Sequence, residues 1–324
     1  MFKYVIHGGV PVRGRVKPSG NKNAALPCLA ATLLTDEPVV LDNMPDLEDV
    51  QVMIKILKGL GSSVEKISSN SYRIKTGNPG TSEIPEDLAR LVRASILFAG
   101  PLLARVGRVV LPPPGGDVIG RRRLDTHFLA LKELGAQIEV DGHFVFSAHR
   151  LEGTEIFLDE ASVTATENAV MAAVLAKGET VILNAASEPH VQDLCQMLGS
   201  MGALIEGCGS NILRIKGVNK LHGTDFSIGP DYMEVGSFIG LAAATRGEIE
   251  IVDAAPEHHR MTRIAFGKLG ISWETEGSTI LVRPNQRLKV VTDLGGMIPK
   301  IDDAPWPGFP PDLTSIALVV ATQV

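Results

Sequence analysis

Cysteine, aromatic residues and excess positive charge are all scarce in this sequence, and each scarcity excludes a class of protein. The 324 residues include three cysteines, Cys28, Cys195 and Cys208, which are too few and too scattered for a disulfide framework and show no metal-ligand spacing. Aromatic residues make up 5% of the chain, which disfavours a surface for stacking on bases. The formal net charge of −6 is not that of a typical nucleic-acid-binding domain. We therefore expect no nucleic-acid partner and no metal site.

Long apolar runs are lacking too. No stretch reaches the roughly 18 uninterrupted apolar residues of a membrane span, and the N-terminal MFKYVIHGGVPVRG has no apolar signal-peptide core. These features predict a cytoplasmic protein with no membrane partner. Hydrophobic residues make up 44% of the chain and charged residues 21%, so sizeable cores can form. The length predicts two domains.

What the sequence does contain is an internal repeat of about 70 residues. Four segments have the pattern of an amphipathic helix, a capping glycine, a strand, a polar turn and a second strand. Their capping glycines are Gly61, Gly135, Gly202 and Gly270. Interleaved Ala-rich helices lead through a glycine into a strand, at Gly107, Gly178 and Gly247. The C-terminal SIALVVATQV resembles the helix of a further copy that is cut short.

The repeat predicts an α/β fold of an inverted kind. Helices this rich in alanine and leucine are apolar around most of their circumference, so they should be buried. Strands would then pack around the buried helices. One alternative is an ordinary α+β protein with coincidental similarity between its segments. A solenoid is another, although the usual solenoid repeats are shorter.

The stretch KPSGNKNAALPCLAATLL (17–34) places Lys22 and Asn23 at the start of a buried helix. Free N–H groups and the helix dipole favour an anion there. A lysine at this end opposes the dipole, so its placement calls for an anionic partner. The structural alternative is that Asn21 is only an N-cap.

Basic and acidic residues at other turns add to this pattern. VVLPPPGGDVIGRRRLDTHF (109–128) has three successive arginines after a Pro/Gly-rich loop, suited to a phosphate or carboxylate and long enough for a lid. The alternative is a solvated basic loop. Arg93 opens another apolar helix, or is an ordinary surface arginine. Asp312 and Asp231 stand at predicted helix starts, where an N-cap role is the alternative.

Common cofactor and nucleophile motifs do not occur. The sequence has no HExxH, Walker A, dinucleotide-binding or GxSxG motif. It therefore predicts small anionic ligands and no metal or redox cofactor.

Taken together, these stretches resemble the enolpyruvyl transferase family. The residues that carry the resemblance are SGNKNAALP (19–27), VRASILFAGPLLAR (92–105), PGGDVIGRRRLDTH (114–127), SVTATENAVMAAVLAKGET (162–180), NAASEP (184–189), PDYMEVGSF (230–238) and FPPDLTS (309–315). They occur in the family's order and span nearly the whole chain. As a set they are specific, although each one alone is a weak signal.

The resemblance implies a fold. Family members have two domains, each an inside-out α/β barrel of repeated βαβαββ units with buried helices. One domain would comprise residues 22–229 and the other residues 1–21 with 230–324. Family members run further than this chain, so we expect the last repeats to be missing and the second domain to be incomplete.

The resemblance also implies a reaction without a cofactor. The 3-hydroxyl of UDP-N-acetylglucosamine attacks C2 of phosphoenolpyruvate, and the adduct then loses phosphate. This reaction is the first committed step of peptidoglycan synthesis, and thus serves cell-wall biogenesis, cell shape and cell division. One alternative is another acceptor such as shikimate 3-phosphate. Another is a truncated homologue that binds the nucleotide sugar without turnover. The oligomeric state stays open.

Residue roles follow from matched positions in the motifs. Lys22 and Arg122 would contact the phosphoenolpyruvate anion, and Asn23 the sugar and the adduct. Asp312 would accept the hydroxyl proton as general base. Asp117 stands where many members carry the cysteine attacked by fosfomycin; it would donate a proton, and we expect fosfomycin resistance. The resemblance implies substrate-binding roles for Arg93, Arg122, Asp125, His127, Ser162, Val163, Glu188 and Asp231.

Besides Asp117, several positions depart from the family's usual residues, and FPPDLTS (309–315) departs from the common FPTDMQA. Arg123 replaces a frequent proline, Glu160 a lysine found in some members, and Thr164 a glycine. These departures concern the uridine contacts more than the phosphoenolpyruvate contacts.

Overall fold

The computed structural model describes residues 3–116 and 123–324. The chain forms two compact units. One is Gly20–Gly229, and the other combines the segment up to Ser19 with Pro230–Val324.

The helices are short and mostly apolar. Within the described residues they are α1 (Lys22–Ala31), α2 (Glu48–Gly59), α3 (Glu86–Ala89), α4 (Ala99–Val106), α5 (Asp125–Glu133), α6 (Val163–Ala173), α7 (Pro189–Ser200), α8 (Tyr232–Thr245), α9 (Arg260–Gly267) and α10 (Thr314–Ala321). Short 3₁₀ helices occupy Thr32–Leu34, Arg93–Phe98, Pro256–His259, Leu294–Gly296 and Pro311–Leu313. In the part of the chain that the structure describes, no helix is long and apolar enough to cross a membrane.

The strands are also short. In chain order they are β1 (Arg13–Val16), β2 (Val39–Asp42), β3 (Ser63–Ser68), β4 (Ser71–Lys75), β5 (Arg108–Leu111), β6 (Gln137–Asp141), β7 (His143–Ser147), β8 (Glu155–Phe157), β9 (Glu179–Leu183), β10 (Leu204–Glu206), β11 (Ile212–Lys216), β12 (Asp225–Ser227), β13 (Glu248–Ile251), β14 (Glu274–Glu276) and β15 (Thr279–Val282).

Three sheets in the unit Gly20–Gly229 repeat one strand order. In the order β10-β11-β9-β8, β8 and β9 are parallel and the other pairs antiparallel. With α6 and α7 between the strands, the chain order is βαβαββ. The sheet β12-β2-β4-β3 repeats this arrangement, with its first strand supplied by the end of the unit. The third sheet is β5-β7-β6, and a parallel bridge from Glu83 to Val110 takes the place of its first strand. The repeated unit is therefore confirmed.

The first helix of each repeat lies inside this unit. Every residue of α1 from Ala24 to Ala31 is buried, and so is every residue of α6 from Ala165 to Ala173. α1 packs against α7, and α6 packs against α4 and α5. The expectation of buried helices is confirmed. The described strands form separate sheets and close into no barrel.

The second unit contains one complete repeat. Its sheet has the order β1-β13-β15-β14, with β1 and β13 parallel. α8 and α9 lie between these strands in the repeat order, and α10 packs on α8. The core includes Val235, Ile239, Phe266 and Phe309.

The four predicted capping glycines all have positive φ. Their φ values are 96° at Gly61, 97° at Gly135, 98° at Gly202 and 82° at Gly270, where a side chain would be strained.

The interleaved set differs at its last member. Gly107 and Gly178 have positive φ, but after α8 Arg246 takes the left-handed conformation, with φ 55°. Gly247 is required there for space, because a Cβ atom would lie 2.0 Å from the carbonyl oxygen of Val12.

Candidate functional site

The start of α1 is organised by its N-cap. The Oδ1 atom of buried Asn21 accepts hydrogen bonds from the backbone N–H groups of Asn23, at 2.8 Å, and Ala24, at 3.3 Å. The N-cap interpretation of Asn21 is confirmed. Asn23 itself is exposed, which leaves its amide accessible at the helix start.

Lys22 has the anionic partner that its position called for, within its own chain. Its Nζ atom lies 3.1 Å from Oδ2 of Asp49, in the first turn of α2. The Lys22 side chain is 41% exposed, and an ion pair this exposed adds little stability. An incoming anion can therefore reach the ammonium group at little energetic cost.

Hydrogen bonds made by Arg93 and Arg123 connect the 3₁₀ helix Arg93–Phe98 to the start of α5. Nη2 of Arg93 donates to the carbonyl oxygen of Arg123 at 3.0 Å. Arg123 donates from Nε to Asp125 at 2.7 Å and from Nη2 to Asp159 at 3.2 Å. The hydrogen bond that Arg123 donates to the Asp125 carboxylate raises the pKa of Arg123. Arg123 is thus paired with acidic residues of the chain itself, and half-buried Arg93 is not an ordinary surface residue.

Asp117 and Arg122 lie outside the described residues. The residues on either side of them are described. Before them, the N–H of Gly115 donates to the carbonyl oxygen of Ala89 at 3.1 Å. After them comes Arg123, which bonds to Arg93 and Asp125 as described above.

His127 is held on both ring nitrogens. Its side chain is in α5, and the residue is 2% exposed. Nδ1 lies 2.9 Å from Nδ2 of Asn168, and Nε2 lies 3.1 Å from Oγ1 of Thr164. The Asn168 amide is oriented because its Oδ1 accepts from Gly100 N at 2.9 Å and its Nδ2 donates to Ile96 O at 2.8 Å. Nδ1 of His127 must therefore accept, and Nε2 carries the proton and donates to Thr164.

Burial keeps this imidazole neutral. Burial first, and then the positive charge of Arg93, lowers the pKa of His127 to about 3. A neutral ring agrees with the tautomer that the hydrogen bonds select. Because both nitrogens are occupied, His127 can act on a ligand only by positioning Thr164.

The start of α6 lies beside this pair. Ser162 is the N-cap, and its hydroxyl accepts from the N–H of Ala165 at 3.4 Å. Val163 is the first helical residue. The carbonyl oxygen of Glu160 accepts from Ser162 N at 2.7 Å. The described structure thus brings the starts of α5 and α6 together through the His127–Thr164 bond.

The sequence did not point to a buried carboxyl group that lies in α6. Glu167 is 1% exposed, and its Oε1 has no hydrogen-bond partner among the described residues. Burial first, and then the charge of Glu188, raises the pKa of Glu167 well above its usual range. Glu188 occupies the N-cap position of α7 without a capping bond from its side chain. An acidic residue inside an Ala-rich helix was the signal that could have identified Glu167.

The two acidic residues in the other unit differ in role. Oδ1 of Asp231 accepts from Met233 N at 2.9 Å and Glu234 N at 3.3 Å, so its N-cap interpretation is confirmed. Burial raises the pKa of Asp231. Asp312 is exposed and lies within the 3₁₀ turn Pro311–Leu313 without a capping bond. The N-cap alternative is therefore wrong for Asp312.

Within 3–116 and 123–324, no group of three or more His, Cys, Asp or Glu side chains is arranged to hold a metal ion.

Known proteins match this chain over nearly its whole length. Residues 6–322 match the family described as EPSP synthase (3-phosphoshikimate 1-carboxyvinyltransferase). The chain is 65% identical over 324 residues to UDP-N-acetylglucosamine 1-carboxyvinyltransferase of Treponema denticola, and 55% identical over 325 residues to the protein of that name from Borreliella burgdorferi. Each alignment covers 100% of this chain and 76% of the relative.

Solved structures show the same fold. The enolpyruvyl transferase NikO from Streptomyces tendae superposes with a TM-score of 0.83 at 21% identity, covering 98% of this chain and 74% of that one. An EPSP synthase from Acinetobacter baumannii gives a TM-score of 0.71 at 18% identity, covering 90% and 68%.

Proposed function

The chain belongs to the EPSP synthase (3-phosphoshikimate 1-carboxyvinyltransferase) family, and we propose that it transfers the enolpyruvyl group of phosphoenolpyruvate to the 3-hydroxyl of UDP-N-acetylglucosamine, releasing phosphate. The observation that carries this proposal is the full-chain identity of 65% and 55% to relatives named for that reaction. The predicted family is confirmed. A place in peptidoglycan synthesis, in the cytoplasm, follows from the proposed reaction.

The phosphoenolpyruvate anion would bind at the start of α1. Lys22 is accessible and paired with the single carboxylate of Asp49 at 3.1 Å. A doubly charged phosphate competes well for that ammonium and also gains from the helix N-terminus. Arg122 would supply a second cation, and Asn23 would contact the sugar and the adduct. Two cations of this kind stabilise phosphate as it leaves.

Two carboxyl groups would handle the protons. Asp312 is exposed and makes no capping bond, so its carboxylate is available to accept the proton of the attacking hydroxyl. Asp117 would protonate C3 of phosphoenolpyruvate. Asp231, half-buried and committed to its N-cap bonds, would have a supporting role beside Asp312, whose charge contributes to the raised pKa of Asp231.

The nucleotide sugar would be held at the starts of α5 and α6. The guanidinium of Arg93 is hydrogen-bonded to the backbone of Arg123, close in sequence to Asp125, the first residue of α5. Ser162 and Val163 begin α6 next to the Thr164 hydroxyl that His127 positions. Glu188 would complete the site from α7.

The test is phosphate release with both substrates present. We expect release that depends on phosphoenolpyruvate and UDP-N-acetylglucosamine together. Lys22→Gln should lower turnover by about 10²–10³-fold, the loss typical of one transition-state cation or donor. Lys55→Gln is the matched control, because Lys55 is an exposed lysine in α2 paired with Glu48 at 3.5 Å; it should retain activity.

The same assay separates the alternatives. Phosphate release with shikimate 3-phosphate, and none with the nucleotide sugar, would identify the other acceptor. Heat of binding for UDP-N-acetylglucosamine without phosphate release would identify a non-catalytic binding protein. Either result would overturn the proposed function.

A further inference from the structure

Two cysteines that are separate in sequence meet on one face of α7. Cys195 lies in α7, and Cys208 lies in the turn between β10 and β11. Sγ of Cys208 lies against α7 one turn from Cys195, close enough for a hydrogen bond between the thiols to set their relative acidity. Cys28, the third cysteine, is fully buried in α1.

The contact is fixed by backbone packing. Sγ of Cys208 also lies 3.8 Å from the carbonyl oxygen of Gln192, three residues before Cys195 on the same helical face. Gly209 has φ +82°, and a Cβ atom there would lie 3.2 Å from Cδ of Gln192. The turn is therefore packed closely against α7, which places Cys208 beside the helical turn that carries Cys195.

The two thiols differ in access and in acidity. Cys208 is exposed, whereas Cys195 is 3% exposed. The hydrogen bond from the Cys195 thiol lowers the pKa of Cys208, although partial burial and the charge of Asp193 oppose this. That hydrogen bond, together with burial, raises the pKa of Cys195. An accessible thiol of lowered pKa next to a protected partner is the arrangement of a peroxide-reactive pair.

We propose that Cys195 and Cys208 are a redox-modification site that a peroxide converts reversibly into a disulfide. The Cys208 thiolate attacks one peroxide oxygen: an S–O bond forms as the O–O bond breaks, and Cys208 becomes a sulfenic acid. The other oxygen leaves as hydroxide and takes up a proton to form water. Sγ of Cys195 then attacks Sγ of Cys208, and the sulfenic hydroxyl leaves with the Cys195 proton as a second water. Two thiols are oxidised, and one peroxide is reduced.

The experiment treats the intact chain with hydrogen peroxide and follows each cysteine by peptide mass spectrometry. We expect one Cys195–Cys208 cross-linked peptide that dithiothreitol removes, and loss of the free Cys208 thiol at least about tenfold faster than that of Cys28. Cys28→Ala is the matched control and should form the same cross-link.

Two further variants test the order of the steps. Cys208→Ser changes an exposed residue and should leave both remaining thiols reduced. Cys195→Ala should stop at a Cys208 sulfenic acid, which dimedone traps. If Cys195→Ala fails to fold, the peptide map of the wild type and the Cys208→Ser variant still test whether the disulfide forms between Cys195 and Cys208. Oxidation of wild-type Cys208 to sulfinic acid without a cross-link to Cys195 would overturn the proposal.

Discussion

Nε2 of His127 in α5 donates a hydrogen bond to Oγ1 of Thr164 in α6, over 3.1 Å. Asn168 sets this direction, because its amide nitrogen occupies Nδ1 of the same ring at 2.9 Å. Thr164 therefore accepts from His127 and keeps its own proton to donate. Thr164 is thus part of a directed chain of hydrogen bonds, and we expect it to present a donor to a ligand.

Removing the Thr164 hydroxyl should destabilise the protein. Thr164→Val keeps the shape but leaves the buried Nε2–H of His127 without its acceptor, at a cost of about 1–3 kcal/mol in the free energy of unfolding. Thr164→Ser keeps the acceptor and should lose less. Urea unfolding at pH 7 measures both. Equal stability of Thr164→Val and the wild type would show that the hydrogen bond contributes nothing.

Acid should weaken the fold through His127. Its pKa in the folded chain is about 3, against about 6.5 in the unfolded chain. The unfolded state therefore binds the proton first as the pH falls. The stability contribution is complete above pH 6.5 and is lost toward pH 3, with a loss of about 2 kcal/mol at pH 5.

Other buried groups act in the same window. His190 and His259, each with a pKa lowered to about 4 by burial, add to the loss. Burial raises the pKa of Asp193 to about 6, so the folded state binds its proton first. Asp193 therefore adds stability as the pH falls, opposite to the histidines. Urea midpoints at pH 5 and pH 7 should differ less in His127→Gln than in the wild type. An unchanged difference would assign the pH dependence to the other groups.

The glycine after α5 should be needed for its backbone conformation alone. Gly135 has φ +97°, and a Cβ atom there would meet nothing closer than 3.8 Å. Gly135→Ala should therefore cost about 1–2 kcal/mol through left-handed strain. The control is Gly199→Ala in α7, where φ is not positive and the space is open; it should stabilise by about 0.5–1 kcal/mol. Thermal unfolding compares the two, and equal melting temperatures would contradict the strain argument.

Asp117 tests the proposed proton transfer. Asp117→Asn cannot donate as an acid and should slow turnover by about 10²–10⁴-fold. Asp117→Cys should retain some turnover and gain covalent inactivation by fosfomycin, which the wild type should resist. Asp141→Asn, an exposed aspartate at the end of β6, is the control. Near wild-type turnover of Asp117→Asn would remove Asp117 from the mechanism.

Local patterns predicted much of the fold. The positive-φ glycines at 61, 135, 202 and 270 and the buried Ala-rich helices were all expected, because caps and helix faces depend on residues close in sequence. Asn21 and Asp231 were correctly recognised as N-cap candidates for the same reason. Even here one detail escaped. After α8 the left-handed residue is Arg246, since Gly247 is needed for the close approach of Val12.

The sequence alone determined the repeat, the buried helices and the anion-favouring start of α1, because each depends on residues that are close together in the sequence. Tertiary structure decided which side chains meet. It placed the carboxylate of Asp49 beside Lys22, fixed the tautomer of His127 through Asn168, and brought Cys208 to the helix that carries Cys195. Partners that lie on different helices and turns meet only when those elements pack, and packing depends on the whole core rather than on any local pattern.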